Sequence, residues 1–251
     1  MNNYENITSH ESIIAYFDIL GYKNMMAEAC QLGNQNLLLL TLKKCIKTTD
    51  TFQFREYGYH VFSDNFIKGI SINNLNAYSY YLIEILTELS AIQCNFINAN
   101  IFIRGAITQG NYYQDKDFVF GKSVIDAYII ESQTAIYPRI VIEDICLDNF
   151  CSRSSNYTNL ELHKKRIITD VNGISFVNYL AFAIENNNLI FIKEHKNRIW
   201  HNIKQAVNES IREKYIWLAG YHNFICEEHN LIKEIIPNVD LRIFNYLKLH
   251  A

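Results

Sequence analysis

The stretch Ser12-Ile-Ile-Ala-Tyr-Phe-Asp18 decides how this chain folds. It is short, apolar and aromatic, and its only charge is the last residue; such a run is typical of a strand buried in a sheet. From Tyr22 to Ile46 the apolar residues recur at helical spacing, and Gly33 is expected to divide that segment into two helices. The chain is therefore predicted to begin with a core strand followed by helix.

More strands and helices are predicted further along the chain. Phe52–Phe62 and Phe66–Ile72 are predicted to form a hairpin, because Ser63-Asp64-Asn65 favours a tight turn with Asp64 at its tip. The remaining predicted elements are a helix at Tyr78–Ile97, a strand at Ile101–Thr108 whose one charge is Arg104, a helix at Gly121–Ser132, a strand at Tyr137–Ile142, and a second hairpin at Arg166–Thr169 and Ile174–Tyr179.

The order of these elements predicts the fold class. Up to residue 142 it is β-α-β-β-α-β, followed by a helix and a strand. This is the α+β, ferredoxin-like (split βαβ) arrangement, for which we expect an antiparallel sheet with helices on one face. From Leu180 onward the pattern is mainly helical, and no linker precedes it. We therefore expect a domain at 1–180 and a helical C-terminal extension at 181–251 that packs on the core.

Composition excludes several classes of protein. The 251 residues include 49% hydrophobic residues, nine glycines and two prolines, which excludes a disordered chain. The net charge of −3 argues against a nucleic-acid partner, since such proteins usually carry a basic excess. No signal peptide and no membrane-spanning run is visible, and the six cysteines form no CxxC pair. The sequence predicts a cytoplasmic protein with no membrane partner and with reduced cysteines.

Three charged residues occupy positions where a core strand normally holds apolar ones: Asp18, Asp64 and Arg104. The first strand should lie beside the hairpin, so both aspartates would converge at one sheet edge. Converging carboxylates repel one another, and a divalent cation with oxygen ligands is the simplest resolution. The alternative is that Asp18 caps a helix, Asp64 serves a turn and Arg104 pairs with either of them.

The ordered set of motifs resembles the class III nucleotidyl cyclases. The resemblance covers residues 12 to 180 and is closest to the pyrimidine cyclases of bacterial Pycsar antiphage defence. The motifs that carry it are Tyr16-Phe-Asp18-Ile-Leu-Gly21, Phe62-Ser-Asp64, Arg104-Gly-Ala-Ile-Thr-Gln-Gly110, Phe120-Gly121, Ala127-Tyr128 with Glu131, and Tyr137-Pro-Arg139.

The resemblance implies a catalytic site and a reaction. Asp18 and Asp64 would bind two Mg²⁺ or Mn²⁺ ions, with the Ile19 carbonyl as a further ligand, and Arg104 would neutralise phosphate charge. The product would be a 3′,5′-cyclic nucleotide, released with pyrophosphate and recognised by a separate effector in antiviral defence. It also implies a homodimer in which one protomer supplies the metal ligands and the other contacts the base.

The positions expected to bind the nucleotide depart from the purine cyclases. Where these have a base-reading lysine and aspartate, this chain has His60 and Phe118, which predicts a pyrimidine base, with uracil preferred over cytosine. Tyr57 and Tyr59 could narrow the pocket further. The resemblance also assigns Phe17 to nucleotide binding.

The groups that steady the transition state in purine cyclases are also replaced. Their asparagine and arginine correspond to Ile125 and Ile129 here, which leaves Lys122, Asp126 and Tyr128 as nearby polar candidates. A phosphate-binding lysine is expected near the later hairpin, where Lys164 and Lys165 lie. The remaining polar residues, Glu131 and Arg139, are expected to be structural.

Two other functions stay open at this point. One is a purine cyclase or a cyclic-dinucleotide synthase, although the acidic hairpin of diguanylate cyclases is replaced here by Phe-Ser-Asp-Asn-Phe. The other is a non-catalytic cyclase-fold module that serves for dimerisation.

Overall fold

The computed structural model describes residues 8–47, 59–153, 163–239 and 244–247, which form a mixed α+β fold. The strands are β1 His10–Ile19, β2 His60–Phe62, β3 Asn65–Ser71, β4 Ile103–Gln114, β5 Val119–Phe120, β6 Ile140–Ile142, β7 Ile167–Asp170, β8 Ser175–Val177 and β9 Phe244–Tyr246. The helices are α1 Tyr22–Gln31, α2 Gln35–Lys47, α3 Tyr78–Asn98, α4 Lys122–Gln133, α5 Asp144–Arg153, α6 Tyr179–Glu185, α7 Leu189–Gln205 and α8 Glu209–Glu228.

Strand β1 lies inside the sheet, antiparallel to both β3 and β4. The strand order is β2-β3-β1-β4-β6-β8-β7-β9, and β5 pairs with β4. The predicted hairpin is confirmed from His60 onward: Phe62 pairs with Asn65, so Ser63 and Asp64 form the turn. Residues 52–58 of the predicted first arm, including Tyr57, lie outside the described residues.

The expectation of a purely antiparallel sheet with helices on one face is wrong. Strands β4 and β6 run parallel, and parallel neighbours need a crossover connection, which α4 provides. Helix α3 packs on one face against Ile13, Ala15, Phe17 and Ile19 of β1. Helix α4 covers the other face, where its Ala127 packs with Tyr16 and Ala106. Burial on both faces explains the uninterrupted apolar run of β1.

Helix α5 is not predicted by the sequence, because its buried residues span little more than one helical turn. These residues are Cys146, Leu147 and Phe150. The predicted second hairpin is present as β7 and β8, and its turn contains Gly173 at φ 78°, a left-handed conformation that favours glycine.

Beyond residue 180, α6, α7 and α8 share a second apolar cluster with the end of α3 and with β7 and β8. Its centre is aromatic, with Phe176 contacting both Trp217 and Tyr221. Strand β9 then extends the sheet beside β7. None of the described helices is long and apolar enough to cross a membrane.

A buried chain of hydrogen bonds links the three C-terminal helices. His222 Nε2 lies 2.8 Å from the backbone carbonyl of Glu234, so this nitrogen must carry the proton. The neutral His222 ring then accepts at Nδ1 from His195 Nδ1, 2.9 Å away. His195 Nε2 in turn accepts from the Tyr179 hydroxyl at 2.8 Å. One carbonyl therefore fixes the tautomer of both rings.

This histidine pair makes the stability of the fold dependent on pH. Burial lowers the pKa of His222 from 6.5 to about 4, and burial together with His222 lowers the pKa of His195. A depressed pKa means that the unfolded chain binds more protons, so stability present above pH 6.5 is lost as pH falls toward the folded pKa. We expect a loss of up to about 1.4 kcal/mol per pH unit for each histidine.

Urea unfolding at pH 7.5, 6.0 and 5.0 measures this loss. His222→Gln should be less stable than the wild type at pH 7.5 but should lose less free energy of unfolding on acidification. His201→Gln, at an exposed position of α7, is the matched control and should keep the wild-type slope. Equal slopes for the wild type and His222→Gln would contradict the prediction.

Candidate active site

Asp18 and Arg104 face each other across neighbouring strands. They are register partners in the β1–β4 pair, so their side chains share one sheet face with Tyr16 and Ala106. Arg104 donates from Nε to Asp18 Oδ1 at 3.1 Å and from Nη2 to Oδ2 at 3.3 Å. The side chain of Arg104 is 22% exposed and that of Asp18 is 17% exposed. The arrangement is a two-point, fork-type ion pair at the rim of the sheet.

Glu131 joins this pair from helix α4. Its Oε1 lies 2.7 Å from Arg104 Nη2, but it is buried and makes no geometrically acceptable hydrogen bond to a described residue. Burial, with the nearby charge of Asp18, raises the pKa of Glu131 to about 7. The sequence predicts only a structural role for Glu131 and does not place it beside Arg104. Its position in the sequence could have indicated that it faces the sheet, because Glu131 follows the buried Ala127 by four residues and so lies on the same helix face.

Asp64 lies in the turn that ends next to this cluster. Ser63 adopts a left-handed φ of 58° there, and the hydroxyl of Tyr16 donates to the side-chain oxygen of Asn65. The pKa of Asp18 is raised by burial first and also by the charge of Asp64, while Arg104 acts in the opposite direction. The charge of Asp64 also contributes to the raised pKa of Glu131. The structure therefore brings Asp18, Asp64 and Arg104 together.

The donor set of this cluster suits a hard divalent cation. Within the described residues no group of three His, Cys, Asp or Glu side chains is arranged to hold a metal. Magnesium, however, is usually bound by one or two carboxylates together with substrate phosphates. Asp18 and Asp64 supply two carboxylates, and the buried Oε1 of Glu131 is a further unsatisfied oxygen. These residues fit a cation whose coordination is completed by substrate and water.

One predicted site residue is in the wrong place. Phe17 points to the α3 face, opposite to Asp18, because successive strand residues alternate between faces. It is fully buried and stacks on Phe66 with ring centroids 4.8 Å apart. Its side chain is therefore a core residue and cannot contact a nucleotide. The side chain of Ile19 is buried on the same α3 face, so only its backbone carbonyl is left as a candidate ligand.

The other predicted nucleotide-binding residues do not all lie at the cluster. His60 pairs with Ile67, which pairs with Tyr16, so it lies on the face of Asp18. Tyr128 packs edge-on against Tyr16, with centroids 6.2 Å apart. Phe118 is 66% exposed and follows the end of β4 at Gln114, which is ten residues, or about 33 Å of strand, from Arg104. Within one protomer it therefore lies far from Asp18.

Lys122 and Asp126 bind each other on the exposed surface of α4, at 2.6 Å. The two positions that replace the transition-state groups, Ile125 and Ile129, are exposed on the same helix. Arg139 has the predicted structural role, since it is buried and bound to Asp170 at 2.6 Å.

The lysines near the later hairpin do not reach the cluster. Lys165 acts on His229, which caps the C-terminus of α8. In α8 the residue whose pKa is affected by the charge of Asp18 is Lys214. Lys214 precedes His229 by fifteen positions, or about 22 Å along a helix. Lys164 lies near Cys151 of α5. Neither lysine is therefore placed at the cluster of its own protomer, and a phosphate-binding lysine from this region stays a prediction for the shared site of a dimer.

No family model matches the sequence, and no curated protein is similar to it. Solved structures similar in fold include the following three, and the TM-score of each is below 0.5. A class III adenylyl cyclase-like ATP-binding protein from Pseudomonas aeruginosa has 14% identity, a TM-score of 0.38, and a match over 56% of this chain and 35% of its own. This chain therefore corresponds to only about a third of that protein.

The second is the guanylyl cyclase domain of a fusion protein from the aquatic fungus Blastocladiella emersonii. It has 14% identity and a TM-score of 0.41, and the match covers 68% of this chain and 98% of that one. The third is a bacterial light-regulated adenylyl cyclase with 12% identity and a TM-score of 0.38, matched over 72% and 97%. Scores this low identify neither a family nor an activity.

Proposed function

We propose that this protein is a metal-dependent nucleotide cyclase. The observation that carries the proposal is that Asp18 of β1 and Arg104 of β4 share one sheet face, next to the turn that contains Asp64. The order β2-β3-β1-β4 around these residues is that of a split βαβ, ferredoxin-like core. The site thus combines two carboxylates for cations with a guanidinium for phosphate.

The substrate would be UTP or CTP, and the product 3′,5′-cyclic UMP or CMP. The ribose 3′-oxygen attacks the α-phosphorus, the bond from that phosphorus to the bridging oxygen breaks, pyrophosphate leaves, and the 3′-hydroxyl proton passes to water. A divalent cation, Mg²⁺ or Mn²⁺, would lower the pKa of that hydroxyl and neutralise the triphosphate, with two ions per site. Asp18, Asp64 and the Ile19 carbonyl would hold these ions.

Glu131 gives Arg104 a second anchor. If Asp18 held a cation, Arg104 would lose its two bonds to Asp18, and its contact with Glu131, 2.7 Å in this structure, could hold the guanidinium at the rim of the sheet. Its Nε would then be available to donate to a phosphate oxygen. Glu131 is thus a positioning residue, and Arg104 is the residue that would touch the substrate.

The pyrimidine preference rests on His60 and Phe118, as in the sequence analysis. His60 lies on the face of Asp18 and is partly exposed, so it is accessible to a base. The cyclic product would serve as a second messenger for a separate effector in antiviral defence, which is the role implied by the resemblance.

Incubation with each nucleoside triphosphate and Mn²⁺, followed by mass identification of the products, tests the proposal. A cyclic pyrimidine mononucleotide is the expected product. Equal rates with ATP or GTP would overturn the pyrimidine preference alone, and a cyclic dinucleotide would identify a synthase. No product from any triphosphate would overturn the cyclase.

A non-catalytic module is the second candidate, and one observation favours it. Arg104 already pairs with both Asp18 and Glu131, so part of the negative charge of the cluster is balanced without a ligand. Exposed isoleucines also stand where purine cyclases hold transition-state groups. Thermal stabilisation by a triphosphate and Mn²⁺, without any product, would support this candidate.

A homodimer is expected to form over the exposed apolar surface of α4. Ile125, Tyr128 and Ile129 share one helix face and are 59%, 55% and 41% exposed. Phe118 and Phe120, just before the helix, are 66% and 73% exposed. A contiguous apolar surface of this kind next to a site is typical of an interface.

Ile129→Glu should therefore convert the dimer into a monomer and abolish cyclisation, because a charge buried in an apolar interface is costly. Sedimentation velocity at the assay concentration measures the change. Val207→Glu, at a position 84% exposed between α7 and α8, is the control and should remain dimeric. A fully active monomeric Ile129→Glu would refute the shared site.

A further inference from the structure

Lys214 is a lysine beside the candidate active site that makes no hydrogen bond or ion pair with a described residue. It lies in helix α8 and is half-buried. The charged groups that act on its ammonium are Arg104 and Asp18. No described residue gives this ammonium a hydrogen bond or an ion pair.

The helix face that carries Lys214 is directed into the fold. Trp217 and Leu218 follow it by three and four residues and are 2% and 0% exposed, so all three lie on one side of α8. Trp217 stacks on Tyr137 with centroids 4.9 Å apart and planes 3° apart. This contact fixes α8 over the start of β6, where the backbone of Arg139 accepts from Gly105, the neighbour of Arg104.

A second contact fixes the same helix turn from the other side. Tyr215 packs edge-on against Phe102, with centroids 5.2 Å apart. The carbonyl of Phe102 accepts from the backbone N–H of Leu20 at 2.9 Å, two residues after Asp18. Lys214 is therefore held at the end of β1 and β4 that carries Asp18 and Arg104.

Two cations, Arg104 and Lys214, thus lie at the end of the site that holds Asp18, and only Arg104 has an ion pair within the described residues. Arg104 is paired with Asp18 and Glu131, whereas Lys214 faces a like charge while half-buried. Desolvation and the charge of Arg104 both lower the pKa of Lys214. An anion with several charges would relieve both effects.

We infer that Lys214 and Arg104 together form a subsite for the phosphate tail of a nucleoside triphosphate. The inference rests on the proposed function and extends it: the C-terminal helix contributes directly to substrate binding. Arg104 presents a planar fork and Lys214 a flexible point charge, a combination that suits phosphates of variable geometry.

Binding of inorganic tripolyphosphate in excess Mg²⁺, measured by calorimetry, tests the subsite without requiring turnover. Lys214→Gln should raise Kd about tenfold or more, the loss of one charge-assisted contact of about 1.5–3 kcal/mol. Lys214→Arg should stay within about threefold of the wild type, because the charge is kept. Arg212→Gln removes a positive charge from the same helix, from a residue 47% exposed and bound to Glu209, and should leave Kd unchanged.

Thermal melting of all four proteins shows whether each variant is folded. The kinetic constants then distinguish a role of Lys214 in binding the triphosphate from a purely structural role. A higher KM for the triphosphate in Lys214→Gln, with KM unchanged in Arg212→Gln, supports the subsite. Unchanged tripolyphosphate binding in Lys214→Gln overturns it, even if the protein makes a cyclic nucleotide. Absence of binding by the wild type also overturns it.

The two proposals can fail separately. If tripolyphosphate binding depends on Lys214 but no triphosphate gives a cyclic product, the cyclase proposal fails and the anion subsite stands. If cyclisation occurs and Lys214→Gln matches the wild type in both Kd and KM, the cyclase proposal stands and the subsite fails.

Discussion

Asp18→Asn and Asp64→Asn should each lower kcat/KM for cyclisation by about 10³-fold, which corresponds to about 4 kcal/mol of transition-state stabilisation. Each substitution removes a carboxylate that holds a cation but keeps the shape of the side chain. The fold should survive, because Arg104 remains bound to Glu131 at 2.7 Å and burial already disfavours the charged form of Asp18. We expect the free energy of unfolding to stay within about 1 kcal/mol of the wild type.

The measurement is steady-state kinetics under saturating Mn²⁺, with urea unfolding of each variant alongside. Asp148→Asn removes an exposed carboxylate from α5 and should change neither rate nor stability. Full activity in either active-site variant would exclude a role for that carboxylate in cation binding. A large loss of stability without a selective loss of rate would assign it to the fold instead.

The sequence predicts the parts of the site that lie on strands. Asp18 and Arg104 are each the one charge in an apolar run, and a buried charge needs a partner. Their pairing across β1 and β4 follows once the strand order is known. The same alternation, applied to Phe17, would have placed it on the core face, since it directly precedes Asp18. The motif therefore does not extend to the side chain of Phe17, because the strand period places it on the core face.

Helical contributions to the site were harder to predict. Glu131 reaches Arg104 only because α4 crosses to the sheet face opposite α3, and periodicity alone does not show which face a helix covers. The position of Lys214 beside Arg104 is harder still to predict from the sequence. It lies 110 residues after Arg104 in sequence. Its place depends on two ring contacts of α8, the stacking of Trp217 on Tyr137 and the edge-on packing of Tyr215 against Phe102. Such contacts are set by packing and leave no local pattern.

The largest stability effect is expected at a buried ion pair behind the active-site hairpin. Lys68 of β3 donates to both carboxylate oxygens of Glu88 of α3, at 2.8 and 2.7 Å. The two side chains are 6% and 3% exposed, and the Lys68 ammonium also lies 5.3 Å from the centroid of the Tyr59 ring. The pair thus connects β3, the strand that follows the Asp64 turn, to helix α3.

Glu88→Gln leaves the Lys68 charge buried without its anion and should lower the free energy of unfolding by about 3–5 kcal/mol. The double variant Lys68→Met/Glu88→Leu should recover most of that loss, because similar apolar volume replaces two desolvated charges. Urea unfolding at pH 7.5 measures both. Glu209→Gln, which breaks the exposed pair with Arg212, should cost less than about 1 kcal/mol. If Glu88→Gln is as mild as Glu209→Gln, water must reach Lys68. If instead the single variant unfolds and the apolar pair restores stability but not cyclisation, the ion pair serves to place the Asp64 turn rather than to stabilise the core.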